Sequence, residues 1–374
     1  MLISDSIHLI RDRRIGLVTN QSGVDAEGVS DVVRLRAAGV RLVALFSPEH
    51  GFRGAAEPGA AVASSVDSAT GLPIYSLYGR TSAPTPEMLA DIDVMVVDLQ
   101  DVGARYYTWL FTTIEVMKVA AAQHVTVIVL DRPDPIGGLV QGNVLQPGFK
   151  TTVGQLEIPM RHGMTLGELA RLAKTDLGLA VDLAVVPVAG WQRAVPLDET
   201  GLPFIAPSPN LRTLQSLYHY PGTCLFEGTN LSVGRGSDAP FQQIGAPWLD
   251  TTAVLSAMRK AGLPGVELRA VSFTPAKPGD GKFADTAVAG IWLTVTDRGR
   301  YDPTATAVHL LSVIRAAHPD RFGWIPAHFD RLAGTASLRA AVESGAPPGE
   351  IVRSWQQDLE RFRSRRRPAL IYPE

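Results

Sequence analysis

Val94-Met-Val-Val-Asp-Leu99 is the stretch of sequence that decides the fold. It is an almost unbroken apolar run, as expected of a strand covered on both faces. A second such run spans 125–130, and the helical pattern over 110–123 lies between the two. Toward the N-terminus, 15–19 and 42–46 read as strands around a helix over 29–38, with a short strand at 74–77. Toward the C-terminus, Thr165 and Glu168 form a Thr-x-x-Glu capping box that opens a helix to about Lys174, and 183–188 reads as one more strand. This strand–helix–strand rhythm predicts an α/β fold built on a doubly wound parallel sheet.

After Trp191 the texture changes. Pro203, Pro207, Pro209, Pro221, Gly222, Gly228, Gly234 and Gly236 punctuate a loop-rich stretch. Helices are expected near 251–261, 305–317 and 350–363, and strands near 267–273 and 290–295. This pattern predicts a second, smaller α+β domain. The expected division is 1–205 and 206–374.

The 374 residues are 45% hydrophobic and 19% charged, ordinary globular values with ample apolar material for a core. A net charge of −2 gives no overall drive toward nucleic acid or an anionic membrane. Arg361, Arg363, Arg365, Arg366 and Arg367 form a local basic run that reads as a solvated helix end. Cys224 is the single cysteine, so no intrachain disulfide can form. The N-terminal segment has charges within its apolar stretches and no small-residue cleavage site, and no apolar run is long enough to span a membrane. The expected location is the cytoplasm.

Open parallel sheets bind ligands outside the carboxyl ends of their strands, so the residues following each strand are informative. The first strand ends in Asn20, Gln21, Ser22 and Gly23, and the second in Ser47-Pro-Glu-His-Gly51. The run at Val94 leads into Asp98, Asp101, Arg105, Tyr106 and Tyr107, and the run at 125–130 into Asp131-Arg-Pro-Asp134. No phosphate-binding glycine fingerprint follows any of them, so no nucleotide cofactor is expected. Turn and ion-pair readings stand beside the functional ones. Asn20 and Ser22 suit turn hydrogen bonds, Asp131 and Asp134 suit turn caps, and Arg105 suits an ion pair with Asp98 or Asp101. Glu49 has the least evident packing role, because it lies on a loop between Pro48 and His50.

The later half offers Glu227, Asn230, and Gly234-Arg-Gly-Ser-Asp238. Glycines on both sides of Arg235 allow either close approach to a ligand or a simple turn. Glu227 follows an apolar run, and a buried carboxylate is a candidate general acid. His162 lies just ahead of the capping box, where loop hydrogen bonding competes with a ligand role, and Glu168 is first of all the capping-box partner. Trp191 and Trp248 suit sugar stacking or, more commonly, the core.

Taken in order, the motifs resemble one family. They are Gly16-Leu-Val-Thr-Asn-Gln-Ser-Gly23, Phe46-Ser-Pro-Glu-His-Gly51, Asp98-Leu-Gln-Asp-Val-Gly-Ala-Arg-Tyr106 and Leu130-Asp-Arg-Pro-Asp-Pro-Ile136. They continue through Pro159-Met-Arg-His-Gly-Met-Thr165, Pro207-Ser-Pro-Asn210, Phe226-Glu-Gly-Thr-Asn230, Gly234-Arg-Gly-Ser-Asp-Ala-Pro-Phe241 and Gly245-Ala-Pro-Trp248. The chain is similar to the exo-β-N-acetylmuramidases from about residue 15 to its end, with Ser237 where the pattern suggests threonine. The resemblance implies a Rossmann-like first domain, a smaller second domain and an active site in the cleft between them. It also implies release of non-reducing-end N-acetylmuramic acid from β-1,4-linked peptidoglycan fragments in cell-wall recycling.

Glu49, in the Ser-Pro-Glu-His-Gly motif, is then the expected general acid/base. The second catalytic group is Asp98, Asp101 or Glu227, or the substrate's own 2-acetamido group. Expected substrate contacts are Asn20, His50, Arg105, Tyr106, Asp131, Arg132, His162, Asn230, Arg235 and Asp238. Muramic acid carries a lactyl carboxylate, for which Arg105, Arg132 or Arg235 would be the cationic anchor. No metal or cofactor is required. Two rival readings are a metal-dependent hydrolase using His50, Asp98, Asp101, Asp131 and His162, and a two-domain sugar-binding protein. No tight ligand spacing supports the first.

Overall fold

The computed structural model describes residues 1–373. In chain order the strands are β1 (Arg14–Thr19), β2 (Arg41–Ser47), β3 (Ser65–Val66), β4 (Pro73–Ser76), β5 (Val94–Asp98), β6 (Thr126–Leu130), β7 (Gln141–Val144), β8 (Pro159–Arg161), β9 (Leu183–Val186), β10 (Gln243–Ala246), β11 (Val266–Phe273) and β12 (Val288–Val295). The helices are α1 (Asp31–Ala37), α2 (Pro86–Leu89), α3 (Trp109–Ala122), α4 (Leu166–Asp176), α5 (Leu214–Thr223), α6 (Thr251–Ala261), α7 (Pro303–Ala317), α8 (Pro326–Ala333), α9 (Ser337–Glu343), α10 (Pro348–Ser354) and α11 (Gln356–Arg366).

Seven strands form one sheet in the order β3-β4-β2-β1-β5-β6-β9, parallel except for the β3–β4 edge. β5 is buried along its whole length. Its side chains alternate between two cores: Val94 and Val96 join Leu17, Leu45, Val32 and Leu35 on the α1 face. Met95 and Val97 join Ile114, Met117 and Leu169 on the α3 and α4 face. Helices on both faces make the sheet doubly wound and leave no polar face for water, which explains the apolar run. A smaller antiparallel sheet, β10-β12-β11, packs with α5, α6 and α7. Among the described residues no helix is long and apolar enough to cross a membrane.

The structure adds elements that the sequence pattern concealed. α5 lies in the proline- and glycine-rich stretch and contains Pro221 near its C-terminal end. Gly222 is where α7 presses closest, because a Cβ there would meet the Pro303 carbonyl oxygen at 2.0 Å. The final helix is two helices, α10 and α11, meeting at Trp355. The C-terminal basic run is not simply a solvated end. Arg363 and Arg365 donate to the Val140 and Glu157 carbonyls, and Arg366 donates to those of His162 and Gly163. Tyr372 then reaches the large sheet, where its hydroxyl donates to Asp131 at 2.6 Å.

At the start of α1, Asp31 is buried against Thr19, with its other oxygen accepting from the Val32 amide at 2.6 Å. Burial, reinforced by the nearby Asp98 charge, raises its pKa to about 8. The folded state therefore holds a proton that the unfolded chain has released above its ordinary value near 4, so this group costs stability as pH rises from about 4 to about 8. Asp31→Asn should flatten the loss of Tm between about pH 5 and about pH 8 relative to wild type. An unchanged slope in thermal melts would show that Asp31 is not its source.

Candidate active site

In a doubly wound sheet the expected ligand crevice lies where the strand order reverses, here between β1 and β5. Protein fills it. Gln21 donates its side-chain amide to the Ala206 and Pro207 carbonyls at 2.9 and 3.2 Å, and Gln100 donates to the Asp101 and Pro133 carbonyls. Asn20 folds back on Ser22, accepting from its amide and hydroxyl. The turn reading of Asn20 is the observed one.

The open cleft lies one strand over, beyond β2. Its cavity of about 330 Å³ is lined on one side by Glu49, His50, Gly59, Tyr78, Tyr106, Tyr107, Thr108, Ser208 and Asn210. Facing them are Tyr220, Glu227, Arg235, Phe241, Asp280, His328 and Arg331. Glu49 is delivered by the turn after β2, where His50 and Gly51 take left-handed backbone with φ 68° and 77°. Both Glu49 oxygens are engaged. Oε1 accepts from the Gly59 amide at 2.8 Å and Oε2 from the Thr108 hydroxyl at 2.7 Å. Thr108 is the N-cap of α3 but makes no cap bond with its side chain, so its hydroxyl serves Glu49 instead. His50 is held by Nδ1 against the Ala56 carbonyl at 2.7 Å. Burial, then the charge of Glu49, pushes the Tyr78 phenol up to about 12, so it stands beside the carboxylate as a neutral donor.

Across the cleft, Glu227 accepts from Arg235 Nε at 2.6 Å, and the Arg235 guanidinium stacks 5.0 Å from the centre of the Phe241 ring. Lys282 donates to the carbonyls of Phe226, Glu227 and Leu231, fixing the loop that carries the carboxylate. The glycines around Arg235 serve the turn: a Cβ on Gly236 would meet the Ala276 carbonyl oxygen at 2.7 Å.

Of the residues expected from sequence, the structure gathers Glu49, His50, Tyr106, Glu227 and Arg235 into this cleft. The others lie elsewhere. Asp98 pairs with Arg132 at 2.6 and 3.0 Å beside a separate cavity at the ends of β5 and β6. Asp101 accepts from the Gly103 amide and meets His162 Nε2 at 3.3 Å in the interior. Asp131 accepts from Thr165, Gly167 and Tyr372 at the start of α4, where burial raises it to about 6. Asn230 clamps Arg321 and Gly323, and Asp238 is exposed outside the cleft. Arg105 is buried behind the wall. It pairs with neither Asp98 nor Asp101, and donates instead to four carbonyls, those of Asn143, Ile158, Leu332 and Ala333. Trp191 is core, packed on Tyr372, and Trp248 packs on His318. The five side chains of the metal-hydrolase reading are therefore dispersed, and the described residues contain no group of three or more His, Cys, Asp or Glu arranged to hold a metal ion.

Several cleft residues escaped the sequence reading. Thr108 and Tyr78 carry no motif of their own. His328 and Arg331 lie on α8, whose helical period is short and unmarked by a side-chain cap. Asn210 had a signal, since it closes the Pro-Ser-Pro-Asn motif.

Carboxylates on facing walls of a saccharide-sized groove are what acid/base cleavage of a glycosidic bond requires, and the class so defined is a glycoside hydrolase. Residues 15–215 match the N-terminal domain of the exo-beta-N-acetylmuramidase NamZ family, and residues 218–372 match its C-terminal domain. The chain belongs to that family. It is 41% identical over 374 residues to the peptidoglycan beta-N-acetylmuramidase NamZ of Bacillus subtilis, covering 99% of this chain and 90% of that one. Crystal structures of two DUF1343 family proteins from Bacteroides fragilis superpose with TM-scores of 0.91 and 0.79 at 33% and 32% identity, covering 99% and 100% of this chain and 97% and 98% of theirs.

Removing the Arg105 guanidinium takes a donor from four buried carbonyls. That of Ala333 still accepts from Asn143 at 2.7 Å and that of Ile158 from the Leu145 amide at 3.2 Å. The loss falls mainly on those of Asn143 and Leu332, each worth about 1–3 kcal/mol when left without a partner. Arg105→Met should therefore destabilise the fold by at least about 2 kcal/mol. Urea unfolding measures it, and a loss below about 1 kcal/mol would mean that water replaces the donor.

Proposed function

We propose that this protein is a glycoside hydrolase that releases non-reducing-end N-acetylmuramic acid from β-1,4-linked peptidoglycan fragments. The observation that carries this is Glu49, fixed by the Gly59 amide and the Thr108 hydroxyl and lining the same cavity as Glu227. Family membership over nearly the whole chain supports the substrate class.

In this reading Glu49 protonates the glycosidic oxygen as positive charge develops on the sugar ring. Each of its oxygens accepts one hydrogen bond and keeps a second lone-pair site for the proton. Residues 1–205 supply the acid, and residues 206–374 supply Glu227 as the second carboxylate, oriented by Arg235. His50 and Tyr106 complete the binding surface. The cytoplasmic location expected from sequence is part of the same proposal, and cell fractionation decides it.

Glu49→Gln keeps the shape, can still accept from the Gly59 amide while its NH2 donates to the Thr108 hydroxyl oxygen, and removes the transferable proton. Turnover of a chromogenic β-N-acetylmuramic acid glycoside should fall by about 10²–10⁴-fold with Tm preserved. Near wild-type turnover would remove Glu49 from the role. A wild-type protein that binds the glycoside without cleaving it would be a sugar receptor instead.

A further inference from the structure

The cations around the cleft are not equivalent. Arg105 and Lys282 spend their donors on backbone carbonyls, and Arg132 is paired with Asp98 in a different cavity. Arg235 lines the cleft, and its charge is matched by Glu227, which accepts from Nε at 2.6 Å, while its Nη1 is buried without a hydrogen-bond partner. Arg331 is the other arginine of the lining. It is exposed, and no ion pair joins it to a carboxylate among the described residues.

Its position is nonetheless fixed. Arg331 Nη2 lies 2.8 Å from His328 Nδ1, one turn earlier on α8. A guanidinium can only donate, so Nδ1 accepts and the imidazole keeps its proton on Nε2. Burial and the adjacent Arg331 charge hold His328 below its usual range, consistent with a neutral ring. The helix itself is anchored from the opposite wall. Arg105 donates to the Leu332 and Ala333 carbonyls at 3.0 and 2.9 Å, and Asn143 donates to that of Ala333 at 2.7 Å. These donors cap the negative end of α8, immediately after Arg331. Tyr78 senses the charges of both Glu49 and Arg331. Glu49 and Arg331 line one and the same cavity.

We propose that Arg331, braced by His328, is the residue that recognises the lactyl carboxylate of the muramic acid ring, and that Arg235 is not. This inference rests on the muramidase reading of the cleft. A guanidinium held in place offers two parallel N–H donors to a carboxylate, and replacing the acid with a neutral group loses the charge-assisted part of that contact.

The test compares two chromogenic glycosides, one of N-acetylmuramic acid and one of its lactamide, in which the carboxylate is a neutral amide. Wild type should prefer the acid. Arg331→Met should lose roughly 10²-fold in kcat/KM on the acid, chiefly through KM, so that the preference for acid over amide collapses. Arg331→Lys should restore part of it, since the charge returns without the fork. Arg235→Met, which frees Glu227, should slow both substrates together and keep the preference. If Arg331→Met keeps the wild-type preference, or if Arg235→Met is the variant that loses it, the assignment is overturned. If wild type cleaves neither glycoside, it is the muramidase reading that fails, and the two failures are distinguishable.

Discussion

The buried guanidinium of Arg105 is the constraint on which the cleft depends. It belongs to the strand-end segment after β5, yet its donors reach the β7–β8 hairpin region through Asn143 and Ile158 and the end of α8 through Leu332 and Ala333. Burying a charge is expensive unless its donors are satisfied, and four carbonyls meet that demand without a carboxylate. The carbonyls of Ala333 and Ile158 also accept from Asn143 and the Leu145 amide, so the guanidinium matters most to those of Asn143 and Leu332. One side chain thus joins three segments far apart in sequence. Because the carbonyls of α8 are among them, the wall bearing His328 and Arg331 is held in register with the wall bearing Glu49.

A second constraint explains why the cleft lies beyond β2 rather than at the reversal of strand order. The chain leaving β9 returns across the sheet edge, and Gln21 fastens it at Ala206 and Pro207. That same segment continues into Ser208 and Asn210, which line the cleft. Closing the usual crevice and building the new one are therefore one act of chain routing. The polar groups at the ends of β5 and β6 are used structurally. Asp98 neutralises Arg132, and Asp131 with Thr165 anchors α4 and the C-terminal Tyr372.

This routing decides how much was readable in the sequence. The parallel sheet was legible because burial on both faces leaves a direct record: Val94 to Val97 are apolar without alternation, and β5 is buried throughout. The capping box at Thr165 was equally local and forms as written. The acid loop could be read because a carboxylate between Pro48 and His50 has no packing use in the strand it follows. Asp98, Asp101, Asp131 and His162 follow the same strand-end logic and yet lie outside the cleft. Their partners, Arg132 for Asp98, His162 for Asp101 and Thr165 and Tyr372 for Asp131, are set by tertiary contacts that no spacing records. α5 and α8 were hidden for a different reason. Pro221 and Gly222 mimic loop composition in one, and the other is only eight residues long, too short for a periodic signal.

The distribution of charge follows from the same geometry. Arginine and lysine near the cleft do three separate jobs, and burial separates them. Fully enclosed, Arg105 acts as a multiple donor to backbone. Buried but reaching the lining, Arg235 orients a single carboxylate while stacked on Phe241, and half-buried Lys282 holds the loop beneath that carboxylate. Exposed, Arg331 retains charge that nothing in the protein neutralises among the described residues. A cleft whose fixed cations are all consumed internally could discriminate sugars only by shape and hydroxyl pattern, whereas one cation held uncommitted by a neutral histidine makes an anionic substituent readable. The catalytic carboxylate and this cation are carried by different walls, so the strength of that reading depends on the walls keeping their separation, which returns the matter to the four carbonyls around Arg105.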